Sequence, residues 1–198
     1  MIPKTIISMW IGEEPPAMVK RCLKTHSEQP GYTHLFIDNN NYYRCKYVDE
    51  CISAGRYGKA SDYLRMHYLH EVGGIYLDAD TEILKSFDDV IHNKLFVCQE
   101  ENMFIANGIV GAEAGHPMIK HYLGLMERNF IGSGELIFQP GMYLWTELVK
   151  YSEWTPGITI YPEDWFLPYN HQSQQTNITE NTHTMHYYLK SWLSQNSQ

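Results

Sequence analysis

Apolar residues along this chain fall into short runs separated by glycine and polar breaks, a pattern typical of alternating strands and helices. The isoleucine-rich run at 4–10 predicts a buried strand, and the apolar positions within 18–23 predict a helix after it. A second strand is predicted at 32–37. Because this strand–helix–strand order favours parallel pairing, we expect ligands to bind beyond the carboxyl ends of these strands.

The clearest pattern follows, in the form of a helix, a glycine break and a short strand. Ser61 is a candidate N-cap of the helix, and Gly73-Gly74 ends it because the chain there needs a positive φ. The apolar run at 75–77 is too short for a helix and predicts a buried strand. The apolar face of the helix is formed by Leu64, Tyr68, Leu69 and Val72.

The rest of the chain continues the same alternation, which predicts an α/β fold. We expect the strand at 104–110 to be interrupted at Asn107-Gly108, because these residues favour turns. The polar tract 170–181 predicts a mobile loop of the kind that acts as a lid, and the tail 194–198 is expected to fray. Helices are predicted at 48–54, from 117 onwards and at 143–150, and strands at 95–98, 104–110, 158–161 and 184–188.

Composition and charge narrow the class of protein. The 198 residues are 43% hydrophobic and 19% charged, which fits a single globular domain over 1–198. A formal net charge of −8 argues against nucleic acid as a partner, because binding to its phosphates depends on basic surface. No apolar run approaches the ~18 residues of a transmembrane helix, and the N-terminal residues lack a signal-peptide pattern. We therefore expect a cytoplasmic protein, with the inner face of the membrane as a second location.

The cysteines support the same location. They form no closely spaced pair of the kind that binds zinc, and the chain is too long and too poor in cysteine for a disulfide framework. We expect reduced thiols at all four positions, Cys22, Cys45, Cys51 and Cys98.

Asp78 and Asp80 carry the candidate chemistry, because they stand where the predicted strand at 75–77 ends. Carboxylates at positions i and i+2 of an extended chain lie on the same side and repel each other. A divalent cation removes that conflict, and oxygen ligands suit Mg²⁺ or Mn²⁺. Since Mg²⁺ commonly takes further ligands from substrate phosphates, the pattern predicts a metal–phosphate site. The alternative is a solvated acidic turn.

Asp62 and Arg65 are the second candidate pair. They are three positions apart on the predicted helix and therefore share a face. In a site, Arg65 would hold a diphosphate or orient a carboxylate, and Asp62 would accept hydrogen bonds from a sugar or ribose hydroxyl. The alternative is an ordinary surface ion pair, which contributes about 0–1 kcal/mol.

Three separated segments resemble one known family. The segment 59–80, KASDYLRMHYLHEVGGIYLDAD, resembles the signature of the glycosyltransferases with a DXD sugar-binding region, the family 32 group that includes yeast mannosyltransferases and bacterial capsule and lipopolysaccharide enzymes. The segment 2–12, IPKTIISMWIG, resembles the opening strand of that family. His186, followed by Ser191-Trp192, resembles its His-x4-Ser-Trp element.

The resemblance implies a GT-A type fold, with a Rossmann-like nucleotide-sugar-binding sheet that is mixed, mostly parallel and covered by helices on both faces. It implies transfer of a sugar, with retention, from a nucleotide-diphosphate sugar, with Mn²⁺ or Mg²⁺ as cofactor and a UDP-sugar favoured over a GDP-sugar. The implied acceptor is a glycan or a lipid-linked molecule of surface polysaccharide synthesis, and peripheral association with a membrane is left open.

The resemblance also assigns roles to single residues. Asp78, Asp80 and His186 are the expected metal ligands, the alternative for His186 being an ordinary core histidine. Trp10 is expected either to stack on the nucleotide base or to fill the core, and Asn107 either to contact a substrate or to form a turn. Catalytic roles fall to Asp62, Arg65, Asp78 and Asp80, and nucleotide or sugar contacts to Trp10, Ile11, Gly12, Asp62, Arg65, Tyr76, Asp78, Asn107, Ser191 and Trp192.

Three further expectations stay open at this stage. Trp165 and Phe166 are expected either to wall an acceptor sugar or to cap the sheet. The run 77–81 also resembles the motif of haloacid dehalogenase-like phosphatases, which would make Asp78 a nucleophile and Asp80 an acid/base. However, that family carries the motif on its first strand, whereas a strand–helix–strand unit precedes it here. The tyrosine-rich composition would also suit a non-catalytic sugar-binding module.

Overall fold

The computed structural model of the chain describes residues 1–101, 103–136, 141–170 and 173–189. A 3₁₀ turn lies at Thr155–Gly157. The helices are α1 Ala17–Ser27, α2 Lys46–Ser53, α3 Tyr57–Val72, α4 Pro117–Arg128, α5 Met142–Tyr151 and α6 Glu163–Phe166. The strands are β1 Thr5–Met9, β2 Thr33–Ile37, β3 Gly74–Leu77, β4 Thr81–Ile83, β5 Leu95–Glu100, β6 Phe104–Ala112, β7 Phe130–Gly132, β8 Glu135–Leu136, β9 Ile158–Tyr161, β10 Tyr169–Asn170, β11 Gln175–Thr176 and β12 Thr184–His186.

A six-stranded sheet in the order β2-β1-β3-β6-β5-β9 forms the centre of the fold. β1 pairs in parallel with β2 and β3, and β5 pairs in parallel with β9. β6 runs antiparallel to both of its neighbours, β3 and β5, so five of the six strands point the same way. The predicted α/β fold with a mixed, mostly parallel sheet is therefore confirmed.

Side chains alternate between the two faces of the sheet, and helices cover both faces. On β1, Ile7 belongs to the hydrophobic cluster that includes the buried residues of α2, α3, α4 and α5. Ile6 belongs to the opposite cluster, where Phe87 and Phe166 of α6 pack. Helix α1 lies on that second face, since its His26 ring contacts the ring of His34 edge to face at 5.8 Å. The strand direction brings the carboxyl ends of β1, β3 and β5 and the start of β6 to one edge.

Helix α3 differs from the prediction at its N-terminus. It begins at Tyr57 without a side-chain cap, so Ser61 lies inside the helix and its expected role as N-cap is wrong. At the other end Gly73 has φ 66, which explains why a glycine ends the helix there. The sheet, α2 and α4 pack against different sides of the helix. Its buried residues are therefore not confined to the single apolar face that the sequence predicted. Val72 is accordingly 44% exposed.

β6 is one continuous strand, but its ladder with β5 is interrupted around Asn107 and Gly108. Val97 pairs with Val110 and Gln99 with Ile105, so two steps along β5 correspond to five along β6, and the extra residues lie in β6. The predicted interruption at Asn107-Gly108 is therefore present on the β5 side of the strand. β12 pairs with β4 in a separate antiparallel ribbon, with His186 opposite Thr81.

The C-terminal aromatic residues lie in the core. Phe166 is fully buried and stacks with His183, and Trp165 stacks with Tyr161 at 4.4 Å. Trp165 and Phe166 therefore pack against the sheet, as the second of the two expectations states. Part of the polar tract 170–181 forms the β10–β11 hairpin.

Two expectations about the whole chain can be compared with the described residues. Cys22, Cys45, Cys51 and Cys98 are all free, as expected. Among the residues described, no helix combines the length and the apolar character needed to cross a bilayer. The tail 194–198, together with Ser191 and Trp192, lies outside the described residues.

Candidate active site

A cleft of about 900 Å³ opens at the edge where β1, β3, β5 and β6 meet, which is a typical volume for a small-molecule site. Its described lining is acidic overall, with five carboxylates against three lysine and arginine side chains, besides the imidazole of His186. The carboxylates are Asp62, Asp78, Asp80, Glu100 and Glu101, and the basic side chains are Arg56, Lys59 and Arg65.

Asp78, Asp80 and His186 come together at this edge. Each offers one ligand atom, and these atoms all lie within 4.8 Å of one another. The aspartates follow β3 directly, while the β4–β12 ribbon brings His186 to them across more than one hundred positions of sequence. His186 Nε2 lies 3.0 Å from Asp80 Oδ1, about the separation of two neighbouring ligands of an octahedral ion with bonds of ~2.1 Å. Two carboxylates and an imidazole at these distances fit a divalent cation such as Mn²⁺.

Asp80 is held on three sides. Its Oδ1 is within hydrogen-bond distance of His186, its Oδ2 accepts a hydrogen bond from the Leu189 N–H at 2.8 Å, and its carbonyl accepts one from the Tyr187 N–H. Burial raises the pKa of Asp80, but the hydrogen bonds from His186 and Leu189 outweigh it, so the net pKa is lowered. Burial likewise opposes the charge of His186, and the bond to Asp80 raises its pKa overall. The pair therefore favours an ionised carboxylate at this position.

Asp78 is oriented by its neighbours on β3, α3 and β6. Its Oδ1 accepts a hydrogen bond from the Tyr76 hydroxyl at 2.9 Å and lies 3.6 Å from Arg65 Nη2. Its N–H donates to the Gly108 carbonyl, and a Cβ built at Gly108 would lie 2.5 Å from Asp78 Oδ2. The carboxylate thus occupies the space that any side chain at position 108 would need.

Arg65 is buried beneath the carboxylates. Its side chain is 8% exposed, so the alternative of an ordinary surface ion pair with Asp62 is wrong. The guanidinium donates to the Asn107 carbonyl at 2.7 Å and to the backbone carbonyl and hydroxyl of Ser61. Burial disfavours its charge, but the combined effect of Asp78, Tyr76 and Asp62 is larger and raises the pKa of Arg65. Each guanidinium nitrogen has a described partner, and Nη2 lies within 3.6 Å of Asp78, so Arg65 is placed to orient carboxylates.

Asp62 and Asn107 join α3 to β6. Asn107 Nδ2 donates to Asp62 Oδ1 at 3.0 Å, so Asn107 contacts a site residue from the part of β6 that leaves the ladder with β5. A Cβ at Gly141, where φ is +80, would lie 2.9 Å from Asp62 Oδ2. Burial raises the pKa of Asp62, since the opposing effect of Arg65 is smaller. Both side chains line the cleft.

The segment after β1 forms the opposite wall. Trp10 and Ile11 are half-buried and line the cleft, and the Trp10 indole donates to the Glu13 carbonyl. The backbone of Gly12 is fixed by Asn39, because its N–H and its carbonyl both form hydrogen bonds with that side chain. Trp10 and Ile11 are therefore accessible to a ligand, whereas the contacts of Gly12 shape the turn.

Sequence reasoning missed several cleft residues. Glu100 ends β5 as Asp78 follows β3, so an acid at a strand end was an available signal. Burial raises the pKa of Glu100, and its carboxylate is hydrogen-bonded to Tyr188, whose ring centroid lies 4.0 Å from that of His186. The other missed lining residues include Phe104, Met142 and Tyr143, which carry no motif.

The chain is similar to known glycosyltransferases. Residues 17–97 match the family model described as glycosyltransferase sugar-binding region containing DXD motif. Among curated proteins, the chain is 26% identical over 128 residues to inositol phosphoceramide mannosyltransferase 3 of Schizosaccharomyces pombe, covering 60% of this chain and 35% of that protein. It is 28% identical over 138 residues to an uncharacterised glycosyltransferase, L373, of Acanthamoeba polyphaga mimivirus, covering 61% and 54%. The chain thus spans between about a third and about half of these relatives.

Solved structures show the same fold. The PaToxG glycosyltransferase superposes with a TM-score of 0.60 at 21% identity, covering 75% of this chain and 69% of that one. A glycosyltransferase involved in glycosylation of the major capsid of PBCV-1 superposes with a TM-score of 0.52 at 11% identity, covering 96% of both chains. The fold is that of GT-A glycosyltransferases, and residues 17–97 match the model of the glycosyltransferase sugar-binding region containing DXD motif.

Proposed function

We propose that this protein is a metal-dependent glycosyltransferase that moves a sugar, with retention, from a nucleotide-diphosphate sugar to a glycan or lipid-linked acceptor. The observation that carries the proposal is the convergence of Asp78, Asp80 and His186 at the end of β3, inside the cleft of a GT-A fold. The family match over 17–97 supports the transferase class.

Charge supports the need for a cation. The described lining of the cleft has more carboxylates than basic side chains, and a diphosphate is repelled by such a surface. Asp78, Asp80 and His186 would hold Mn²⁺ or Mg²⁺, which would supply the positive charge that a departing diphosphate needs. The positive charge of Arg65 is shared with the two aspartates beside it, Asp62 and Asp78, so it offsets part of the charge of the lining itself.

The residues around the metal ligands position the donor. Asp62, with one oxygen bonded to Asn107 and its Oδ2 facing the start of α5, is suited to accept hydrogen bonds from donor sugar hydroxyls. Tyr76 and Arg65 fix the Asp78 carboxylate, and Trp10 and Ile11 offer an apolar wall to the nucleotide base. In the transfer, the bond between the anomeric carbon and the phosphate oxygen breaks and the acceptor oxygen bonds that carbon. The proton of the acceptor hydroxyl passes to the departing phosphate.

The phosphatase alternative has less support. Asp78 follows the third strand of the chain, and the family match over 17–97 is to a glycosyltransferase region. We propose a UDP-sugar as donor and retain a lipid-linked molecule among the acceptors. The name of the S. pombe relative, a mannosyltransferase for inositol phosphoceramide, is consistent with a lipid acceptor.

Hydrolysis of nucleotide sugars tests the proposal. A panel of UDP- and GDP-sugars is incubated with the protein and Mn²⁺, and released nucleotide is measured with and without EDTA. We expect release from at least one UDP-sugar that EDTA abolishes and that Asp80→Ala lowers at least a hundredfold. Release of phosphate from aryl phosphates, or release of nucleotide unaffected by Asp80→Ala, would contradict the proposal.

A further inference from the structure

The cleft has a second end, which is apolar and which the residues discussed so far do not include. Phe104, at the start of β6, and Met142 and Tyr143, at the start of α5, form it. The rings of Phe104 and Tyr143 lie edge to face, with centroids 5.4 Å apart. We call these three residues the aromatic end of the cleft, and we call the region of Asp62, Arg65, Asp78, Asp80 and His186 its acidic end.

The aromatic end exposes much apolar surface to water. Tyr143 is 63% exposed, and Met103, next to Phe104 in the chain, is 66% exposed. Contiguous exposed apolar surface beside a cleft commonly marks a binding site, because folding alone gains nothing from it.

The aromatic end is attached to the same elements as the acidic end. Phe104 and Gly108, which touches Asp78, belong to the same strand, β6. The start of α5 is anchored by the Gly141 N–H, which donates to the Tyr122 hydroxyl, and by the Trp145 indole, which donates to the Ala106 carbonyl. Rigid elements therefore carry both ends.

A polar group stands beside the aromatic pair. In the β5–β6 ladder Glu100 is the partner of Phe104, and Glu100 also lines the cleft. An acyl chain lying here would remove water from a carboxylate without replacing its hydrogen bonds, which costs free energy. A sugar ring presents hydroxyls to the carboxylate and C–H groups to the aromatic face, whose electrostatic potential is negative.

We propose that the aromatic end is the acceptor subsite and that it binds a pyranoside, whose ring stacks on Tyr143 while Glu100 accepts a hydrogen bond from a hydroxyl. This inference rests on the proposed glycosyltransferase function. The diphosphate and the donor sugar occupy the acidic end, so the acceptor hydroxyl reaches the anomeric carbon from the aromatic end of the same cleft.

Two tyrosines of one helix provide the test. Tyr143 and Tyr151 both belong to α5 and are 63% and 75% exposed, but only Tyr143 is among the described lining residues of the cleft. The probes are the methyl pyranosides of glucose, galactose, mannose and N-acetylglucosamine, added with Mn²⁺ and the donor that is hydrolysed best. Transfer is followed by nucleotide release and by mass spectrometry of the product.

We expect at least one methyl pyranoside to be glycosylated by the unaltered protein. Tyr143→Ala should raise the KM of that acceptor at least tenfold and change the KM of the donor less than threefold. Tyr143→Phe and Tyr151→Ala should keep both KM values, because stacking needs the ring and Tyr151 lies outside the cleft. Thermal melting of each variant verifies that it is folded.

Three results would overturn the inference while leaving the proposed function intact. They are an unchanged acceptor KM in Tyr143→Ala, an equal rise in Tyr151→Ala, and donor hydrolysis with transfer to octyl glucoside but to none of the methyl pyranosides. The last result would show that an alkyl chain occupies the subsite. Absence of both hydrolysis and transfer with every donor would instead contradict the proposed function.

Discussion

The two ends of the cleft are built in opposite ways. At the acidic end, Arg65 is 8% exposed, and hydrogen bonds or ion pairs hold the carboxylates of Asp62, Asp78 and Asp80. At the aromatic end, Tyr143 is 63% exposed and its described ring contact is with Phe104. The acidic end is therefore a network of polar side chains that hold one another, whereas the aromatic end consists of exposed side chains with few described contacts.

This difference separates two requirements of a transferase. A cation and a diphosphate need ligands at fixed distances, and charged side chains that pair with one another provide them. Such a network is sensitive to mutation, because the loss of one partner leaves the other charge unpaired. An exposed aromatic surface binds a ligand through contact area and complementary shape. Substitutions of its residues have little effect on the stability of the fold. The donor end of such a protein is therefore expected to be rigid, and the acceptor end to be open to change.

Among the substitutions considered, replacement of Arg65 should reduce the stability of the protein most. In Arg65→Met, the half-buried carboxylates of Asp62 and Asp78 lose their buried counter-charge, so we expect a loss of about 3 kcal/mol in the free energy of unfolding. Arg44→Met is the control, because Arg44 pairs with Asp49 at the surface and is 69% exposed. Urea unfolding measures both variants. Equal stability of Arg65→Met and the unaltered protein would show that the acidic end does not depend on this network.

The layer beneath the acidic end should make stability depend on pH. His26 Nε2 donates to the carbonyl of Thr81, next to Asp80, and burial lowers the pKa of His26 from 6.5 to about 4. As the pH falls, His26 is therefore protonated near pH 6.5 in the unfolded chain but only near pH 4 in the folded chain. Stability is therefore lost as the pH falls through this window, by up to about 3 kcal/mol from this residue.

Melting curves between pH 7 and pH 4 measure that loss. His26→Gln keeps a donor for Thr81 but has no titrating ring, so its stability should fall less steeply over this range. His92→Gln, at an exposed position, should follow the unaltered protein. An identical slope in His26→Gln and the unaltered protein would rule out the assigned role.

Gly108→Ala should weaken metal binding at the acidic end, although it adds only one methyl group. Its Cβ would lie 2.5 Å from Asp78 Oδ2, so the carboxylate must move, and we expect Mn²⁺ affinity to fall at least tenfold. Gly157→Ala is the matched control, because its Cβ would meet nothing within 4 Å. Isothermal calorimetry with Mn²⁺ compares the two, and equal affinity would place the ion away from Asp78.

The smallest effect on folding is expected at the aromatic end. Tyr143→Ala should change the free energy of unfolding by no more than about 0.5 kcal/mol and leave Mn²⁺ affinity unchanged, because the side chain is mostly exposed. Urea unfolding and calorimetry check both expectations. A loss comparable to that of Arg65→Met would mean that the two ends are not built differently.

The sequence predicted what depends on local patterns. The order β1–α1–β2 and the passage from α3 through Gly73 to β3 follow from hydrophobic runs and glycine positions, and so does the placement of Asp78 at a strand end. Ser61 shows the limit of such rules. It has the chemistry of a cap, but helix α3 starts at Tyr57, where packing decides the boundary.

Contacts between distant parts of the chain were beyond local patterns. Asp62 and Asn107 are 45 positions apart, and the strand that holds Asn107 has no motif of its own. The burial of Arg65 was also hidden, because an aspartate and an arginine three positions apart look the same on a surface helix. Phe104 and Tyr143 meet only because β6 and α5 pack together. The resemblance supplied His186, which spacing alone would not have placed beside Asp80.

Electron paramagnetic resonance of Mn²⁺ tests the central claim most directly, because it measures the ion without requiring activity. The unaltered protein and Asp80→Asn are titrated with Mn²⁺ in the absence and presence of UDP. We predict one bound ion per chain, tighter binding when UDP is present, and at least tenfold weaker binding in Asp80→Asn. Equal binding by the two proteins, or binding indifferent to UDP, would contradict a cation that holds a nucleotide diphosphate at the end of β3.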